Sequence, residues 1–233
     1  VLRWPTPNLM FARDLGVLVG SARLLTYAAK PARKREMVLS RGLLRYHPAF
    51  GDGPVLDIAS RVSDPHLEGG DVLVVAPDQV AIGVSERTDA VSARAAAALL
   101  LENGIDEVHL VTLRAARATM HLDTVFTIVD RDCCLAFAPQ VTATNGVSVV
   151  TVSRRGETER SGSLLDILAE SGNRFEPVLC GGGDPIHEAR EQWSDGANAF
   201  ALGPGKILLY ARNERTLRCL NEAGFEVLTP DEF

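Results

Sequence analysis

Cysteine is scarce in this sequence, and its spacing argues against a disulfide framework or a zinc site. Only four of the 233 residues are cysteines. Cys133 and Cys134 are adjacent, while Cys180 and Cys219 lack the spacing of metal ligands. Such usage is typical of proteins from a reducing compartment. We therefore expect a cytoplasmic protein without a metal centre.

Long apolar segments and extended basic stretches are also missing. No apolar run approaches the roughly 20 residues that a membrane-spanning helix needs, and the first residues, VLRWPTPNLM, lack the pattern of a signal peptide. The formal net charge is −6, and Lys and Arg are concentrated only in KPARKRE, residues 30–36, which we expect to form a solvated loop. These features predict neither a nucleic-acid partner nor a membrane partner.

What the sequence does contain is a repeated series of elements. Acidic clusters end at Asp14, Asp71, Asp123 and Asp195. Their separations are 57, 52 and 72 residues, and similar apolar segments follow each cluster. The segment DVLVVAPDQVAIGVS predicts two strands around the turn Pro77-Asp78, TDAVSARAAAALLLENG predicts a helix with Thr88 or Asp89 as N-cap, and EVHLVTL predicts a closing strand.

About four such ββαβ repeats are visible, and 46% of the residues are hydrophobic. One repeat cannot bury its own apolar face, so the pattern predicts an α/β fold in which the repeats form a radial or solenoid array. In a radial array the acidic clusters would lie at the same radius. The sequence therefore predicts that they contribute to one shared site.

The segment MHLDTVFTIVD, residues 120–130, suggests how one cluster is arranged. If a strand begins at this point, residues two apart face the same side of the sheet. His121 and Asp123 would then share one surface, while Leu122 would point into the packing. A base beside an anion indicates a functional site.

Five motifs in this order resemble those of arginine deiminases: PNLMFARD, EGGDV, GVSERTDA, MHLDTVFTIVD and EQWSDGAN. The resemblance covers essentially the whole chain and implies a pentein-type α/β propeller, with five ββαβ repeats in the whole protein. It also implies hydrolysis of free L-arginine to L-citrulline and ammonia through a cysteine-bound amidino intermediate. The family uses no metal or organic cofactor, and the resemblance suggests a homo-oligomer.

The resemblance assigns roles to residues of this chain. Asp14 and Asp123 would bind the substrate guanidinium, because paired carboxylates match its planar fork of N–H donors. His121 would be the general acid and base, with Glu68 hydrogen-bonded to it.

Further matching positions concern the rest of the substrate. Arg33 and Arg87 would bind the α-carboxylate of the amino acid, and Asn8 and Phe11 match other substrate-binding positions. Asp195 and Asn198 of SDGAN either belong to the site or shape a turn.

The sequence departs from the family pattern at the nucleophile, which in the family is a cysteine in a glycine-rich loop after the last strand. None of the four cysteines fits that motif, and we interpret each as structural. We expect a single catalytic domain over residues 1–233 without an N-terminal part and without the nucleophile loop, so the nucleophile is expected beyond Phe233. The alternatives are an amidinotransferase, a hydrolase of a modified arginine, and a non-catalytic arginine-binding pentein.

Overall fold

The computed structural model describes residues 6–230, and its strands and helices form four ββαβ motifs. In each motif two antiparallel strands are followed by a helix and by a third strand that pairs in parallel with the second. The first motif consists of β1 (Gly16–Val19), β2 (Ala22–Leu25), α1 (Lys34–Tyr46) and β3 (Val55–Leu56). The second consists of β4 (Val72–Ala76), β5 (Gln79–Val84), α2 (Ala90–Glu102) and β6 (Glu107–Thr112).

The third motif contains an insertion, and the fourth does not. The third region consists of β7 (Phe126–Ile128), β8 (Cys133–Ala136), α3 (Ala138–Val141), β9 (Ser148–Ser153), β10 (Gly156–Arg160), α4 (Leu164–Glu170) and β11 (Glu176–Leu179). After α5 (Pro185–Trp193), the fourth motif consists of β12 (Phe200–Gly203), β13 (Lys206–Leu208), α6 (Glu214–Glu222) and β14 (Glu226–Leu228). The inserted hairpin β9–β10 extends the sheet of the second motif, whose strand order is β10-β9-β6-β5-β4.

The repeat predicted from the sequence is confirmed, with each predicted hairpin and helix in place. The turn Pro77-Asp78 joins β4 to β5, and Asp89 caps α2 by accepting a hydrogen bond from the Ser92 backbone N–H at 2.8 Å. Such a cap satisfies a backbone donor that the first helical turn leaves unpaired.

The chain divides into two compact units, each with its own core. Unit 1 comprises the residues up to Thr112 together with Val150–Glu159, and unit 2 comprises Leu113–Val149 together with the residues from Arg160 onwards. In unit 1, the small residues Ala93, Ala96 and Ala97 of α2 are fully buried, which permits close packing of this helix. The core of unit 2 is centred on residues such as Leu135, Ile207 and Leu220. Within residues 6–230, every helix is too short or too polar to cross a bilayer.

Two local predictions are wrong. His121 and Asp123 do not lie on a strand, because residues Leu122–Thr124 form a 3-10 turn and β7 begins only at Phe126. The segment 30–36 is not a solvated loop either. It forms the 3-10 turn Pro31–Arg33 and the start of α1, and Arg33 is buried.

Candidate active site

Two short 3-10 turns of unit 1, which pack closely together, position the predicted site residues Asp14 and Glu68. Asp14 lies in the 3-10 turn Ala12–Leu15, and Glu68 immediately precedes the turn Gly69–Asp71. A Cβ atom at Gly69 would lie only 2.1 Å from the Arg13 carbonyl oxygen, so glycine at this position permits the contact between the two turns. The Gly70 N–H then donates to Asp14 Oδ1 at 3.1 Å, which orients the carboxylate.

The guanidinium of Arg33 lies at the centre of these turns. Its Nη1 donates to Asp14 Oδ2, its Nε donates to Glu36 Oε2 at 3.0 Å, and Nη1 is 3.6 Å from Glu68 Oε2. Burial disfavours the charged form, but the hydrogen bond and charge of Asp14, helped by Glu36 and Glu68, outweigh this effect and raise the pKa of Arg33. Unit 1 thus holds a buried guanidinium on three carboxylates.

Arg87 joins the same set of charges from the segment before α2. Its Nη1 is 3.6 Å from Glu68 Oε2, and its side chain is 14% exposed. Glu68 is fully buried, and its Oε1 accepts a hydrogen bond from the Ala29 N–H at 3.1 Å. We name the ion-paired set of Asp14, Arg33, Glu36, Glu68 and Arg87 the arginine–carboxylate cluster.

Asn8 and Phe11 border this cluster through their backbones. The Asn8 N–H donates to Glu36 Oε1 at 3.1 Å, and the Asn8 carbonyl accepts from Arg33 Nη2 at 3.3 Å. The residue Phe11 is 46% exposed, and its ring centroid is 6.0 Å from Arg33 Cζ. Phe11 is therefore available to contact a ligand rather than being a core residue.

Sequence reasoning missed Glu36, which is completely buried and pairs with Arg33. The available signal was the spacing of three residues between Arg33 and Glu36, which lets two side chains meet on a helix. Asp71 was recognised only as the end of an acidic cluster. Its Oδ2 accepts a hydrogen bond from Ser85 Oγ at 2.7 Å.

In unit 2, His121 and Asp123 belong to one tight turn. His121 immediately precedes the 3-10 turn Leu122–Thr124, and its side chain and that of Asp123 are buried. Thr124 Oγ1 donates to the His121 carbonyl at 2.6 Å, and Thr127 Oγ1 donates to the Asp123 carbonyl at 3.1 Å. These threonines hold the turn by local hydrogen bonds.

Asp195 and Asn198 shape a turn in unit 2, which is one of the two roles considered for them. Asp195 has a φ of 61°, and the Asn198 N–H donates to its carbonyl at 3.1 Å. Burial raises the pKa of the Asp195 carboxyl against the opposing effect of Arg212 and Arg117. The structure therefore brings together Asp14, Arg33, Glu68 and Arg87 in unit 1, and His121 and Asp123 in unit 2.

Comparison with known proteins identifies the family to which the chain is similar. Residues 1–230 match the family model described as Arginine deiminase. The arginine deiminase of Bacillus cytotoxicus is 37% identical over 234 residues, covering 96% of this chain and 57% of that protein. The arginine deiminase of Borrelia duttonii is 35% identical over 231 residues, with 96% and 56% coverage. The chain thus spans somewhat more than half the length of these relatives.

Solved structures share the fold at low sequence identity. DDAH from Pseudomonas aeruginosa, as a cysteine-to-serine mutant complexed with citrulline, matches with a TM-score of 0.64 at 20% identity, covering 96% of this chain and 69% of that chain. ArgZ, an arginine dihydrolase from cyanobacteria, matches in its apo form with a TM-score of 0.66 at 17% identity, with 98% and 30% coverage. The α/β pentein fold predicted from the sequence is therefore confirmed.

Proposed function

Since the chain belongs to the arginine deiminase family, we propose that the complete protein hydrolyses free L-arginine to L-citrulline and ammonia. The arginine–carboxylate cluster of unit 1 is the observation that carries this proposal. Its carboxylates, which include Asp14 and Glu68, form ion pairs with the guanidinium of Arg33. Carboxylates can bind the guanidinium of a substrate in the same way.

We propose that Asp14 and Asp123 bind the substrate guanidinium. A carboxylate and a guanidinium form short, charge-assisted hydrogen bonds with defined directions. Both aspartates are buried, and the N–H of Gly70 orients Asp14 before any ligand arrives. Such preorganisation supports the rate, because it holds the guanidino carbon in line for attack.

His121 is the proposed general acid and base, and Glu68 its proposed hydrogen-bond partner. A thiolate attacks the guanidino carbon, and His121 protonates the nitrogen that leaves as ammonia. His121 then removes a proton from water, whose oxygen adds to the same carbon and releases citrulline and the thiolate. One water is consumed for each ammonia formed, and no electrons are exchanged.

The proposed nucleophile is a cysteine outside residues 1–233. Within this chain, burial raises the pKa of all four thiols, to about 12 for Cys180. Neighbouring carboxylates act in the same direction, as Asp132 does on Cys133 and Glu222 on Cys219. A nucleophilic thiol needs a lowered pKa, which supports a structural role for these four residues.

Arg33 and Arg87 are the proposed ligands of the substrate α-carboxylate, with Asn8 and Phe11 as further contacts. Each arginine has an ion-pair partner within unit 1. To bind a substrate carboxylate, either arginine must therefore share its N–H donors with that group. The five donors of a guanidinium allow such sharing.

For the whole protein, we propose one catalytic domain that acts without a metal or organic cofactor and assembles as a homo-oligomer. Four free cysteines support a reducing, cytoplasmic compartment. Sedimentation of the complete gene product would test the oligomeric state.

The function is tested by incubating the complete gene product with L-arginine and measuring citrulline and ammonia. We expect equal amounts of both products from the wild type and at least about a 100-fold loss of kcat in His121→Ala, since an acid and base contributes roughly that much. His187→Ala is the matched control, because His187 lies in the same unit on α5 and has no assigned role. It should retain wild-type turnover.

Parallel reactions distinguish the alternatives. Turnover of a methylated arginine in place of L-arginine would overturn the proposed substrate. Transfer of the amidino group to an amine, without formation of citrulline, would overturn the proposed reaction. Binding of L-arginine without turnover by the folded complete protein would contradict catalysis and favour an arginine-binding pentein.

A further inference from the structure

A side chain from α5 holds the segment that carries His121 and Asp123. Gln192 Nε2 donates to the Ala118 carbonyl and to the Thr124 carbonyl, both at 2.7 Å. Ala118 precedes His121 by three residues, and Thr124 directly follows Asp123. The two hydrogen bonds therefore fix the backbone before and after the predicted catalytic histidine.

The orientation of this amide is fixed by its partners. Both are backbone carbonyls, which only accept hydrogen bonds, so the NH2 group and not the oxygen must face them. Gln192 is 2% exposed, and its Oε1 has no hydrogen-bond partner among the residues that the structure describes. Both N–H groups of the amide thus donate to carbonyls of the segment 118–124.

The helix that carries Gln192 is itself anchored on two other sides. Glu188 Oε1 accepts a hydrogen bond from the Ala138 N–H at 3.0 Å. The Glu191 carboxylate accepts from the Arg215 and Thr216 N–H groups at 2.8 and 2.9 Å, and so caps the first turn of α6. These three hydrogen bonds to Glu188 and Glu191 leave Gln192 little freedom to shift.

We propose that Gln192 is a positioning residue, which fixes the backbone that presents His121 and Asp123 for the reaction. This inference rests on the proposed function, since it concerns the same site. Gln192 acts through the Ala118 and Thr124 carbonyls and needs no contact with the substrate. Its effect follows from geometry, because a displacement of about 1 Å in a reacting group can cost about 100-fold in rate.

The first test is Gln192→Met in the complete protein. Methionine has a similar shape but no N–H donor, so both carbonyls lose their partner. We expect kcat for L-arginine, measured per folded molecule, to fall by about 100-fold, with a smaller change in KM. Circular dichroism and gel filtration give the folded fraction.

Gln140→Met is the matched control. Gln140 is also a buried glutamine of unit 2, and its side-chain carbonyl has no hydrogen-bond partner in the described part of the chain. This variant makes the same exchange of an amide for a thioether at a side chain that, among the described residues, makes no hydrogen bond to the segment 118–124. It should keep the wild-type kcat per folded molecule.

Gln192→Glu adds a signature that general destabilisation would not produce. An ionised carboxylate would face two carbonyl oxygens, whereas the protonated form can donate one O–H hydrogen bond. The kcat of the folded variant, relative to wild type, should therefore be highest at acidic pH and fall as the pH rises. A ratio that does not depend on pH would contradict the proposed role.

A readout independent of activity separates this inference from the proposed function. Hydrogen exchange of peptides covering residues 114–127 should be faster in Gln192→Met than in wild type, and unchanged in Gln140→Met. If wild type does not hydrolyse arginine, the proposed function fails, and the exchange result still tests whether Gln192 fixes the segment. Wild-type exchange in Gln192→Met, or wild-type kcat per folded molecule, would overturn the inference.

Discussion

Tyr27 links the stability of unit 1 to pH through one side chain. Its hydroxyl donates to Asp57 Oδ1, and Arg41 Cζ lies 4.4 Å from its ring centroid. Burial, followed by the hydrogen bond and negative charge of Asp57, raises the pKa of Tyr27 from 10.0 to about 12, although Arg41 acts in the opposite direction. The folded chain therefore holds the phenolic proton more tightly than the unfolded chain does.

From this shift we predict the pH range in which Tyr27 stabilises the fold. Its contribution is complete below pH 10 and is lost as the pH rises towards about 12, because in that range the unfolded chain releases a proton that the folded chain retains. Urea unfolding of Tyr27→Phe across this range should show a weaker decline of stability than wild type. Tyr46→Phe, at a tyrosine that is 83% exposed, should decline as wild type does.

Arg33 illustrates what the sequence can and cannot predict about single residues. The motif resemblance singled out Arg33, Asp14 and Glu68, and the structure places these three side chains together. The composition of the segment 30–36 nevertheless predicted a solvated loop. Burial of Arg33 depends on carboxylates 19 and 35 positions away, and a local charge pattern contains no information about such distant partners.

Among the secondary-structure elements, regular repeats were predictable and the functional turn was not. Alternating apolar residues and turn chemistry identified the hairpin that opens each of the four repeats. The turn Leu122–Thr124 was mistaken for a strand because the threonines that bond its carbonyls also favour strands. The hairpin β9–β10 was missed because β10 is mostly exposed and β9 pairs with β6, a strand of another motif.

The turn before α5 provides a prediction about packing between elements. Gly181 has a φ of 66°, and a Cβ atom there would lie 2.2 Å from the Glu188 backbone nitrogen. Gly181→Ala should therefore combine backbone strain with a clash against α5 and lower the free energy of unfolding by about 3 kcal/mol. Chemical denaturation followed by circular dichroism measures this change.

Gly205→Ala is the control for the backbone strain alone. Gly205 has a φ of 73°, and a Cβ atom there would meet no heavy atom within 4 Å. We expect this substitution to cost only about 1 kcal/mol. If both variants lose the same free energy of unfolding, a clash between residue 181 and α5 adds nothing to the cost, and the prediction is wrong.

For the whole molecule, binding of the proposed substrate should be visible as stabilisation. We predict that L-arginine at 100 times its Kd raises the free energy of unfolding of a His121→Ala complete protein by about 2.7 kcal/mol, since it binds only the folded state. The inactive variant prevents consumption of the ligand during the measurement. Thermal unfolding with and without L-arginine measures the effect.

L-citrulline at the same concentration is the comparison for this experiment. It has the same backbone but a neutral urea group, so it cannot form the charge-assisted hydrogen bonds proposed for Asp14 and Asp123. We expect it to stabilise the protein less. Equal stabilisation by both ligands would contradict a carboxylate-based receptor for the guanidinium.

The arginine–carboxylate cluster also has an unequal number of charges. Its three carboxylates and two guanidiniums leave one formal negative charge. Free arginine, with one formal positive charge at neutral pH, would cancel that charge, whereas citrulline has none to offer. The proposed reaction would therefore remove the electrostatic attraction for its own product, so that hydrolysis itself promotes release of citrulline.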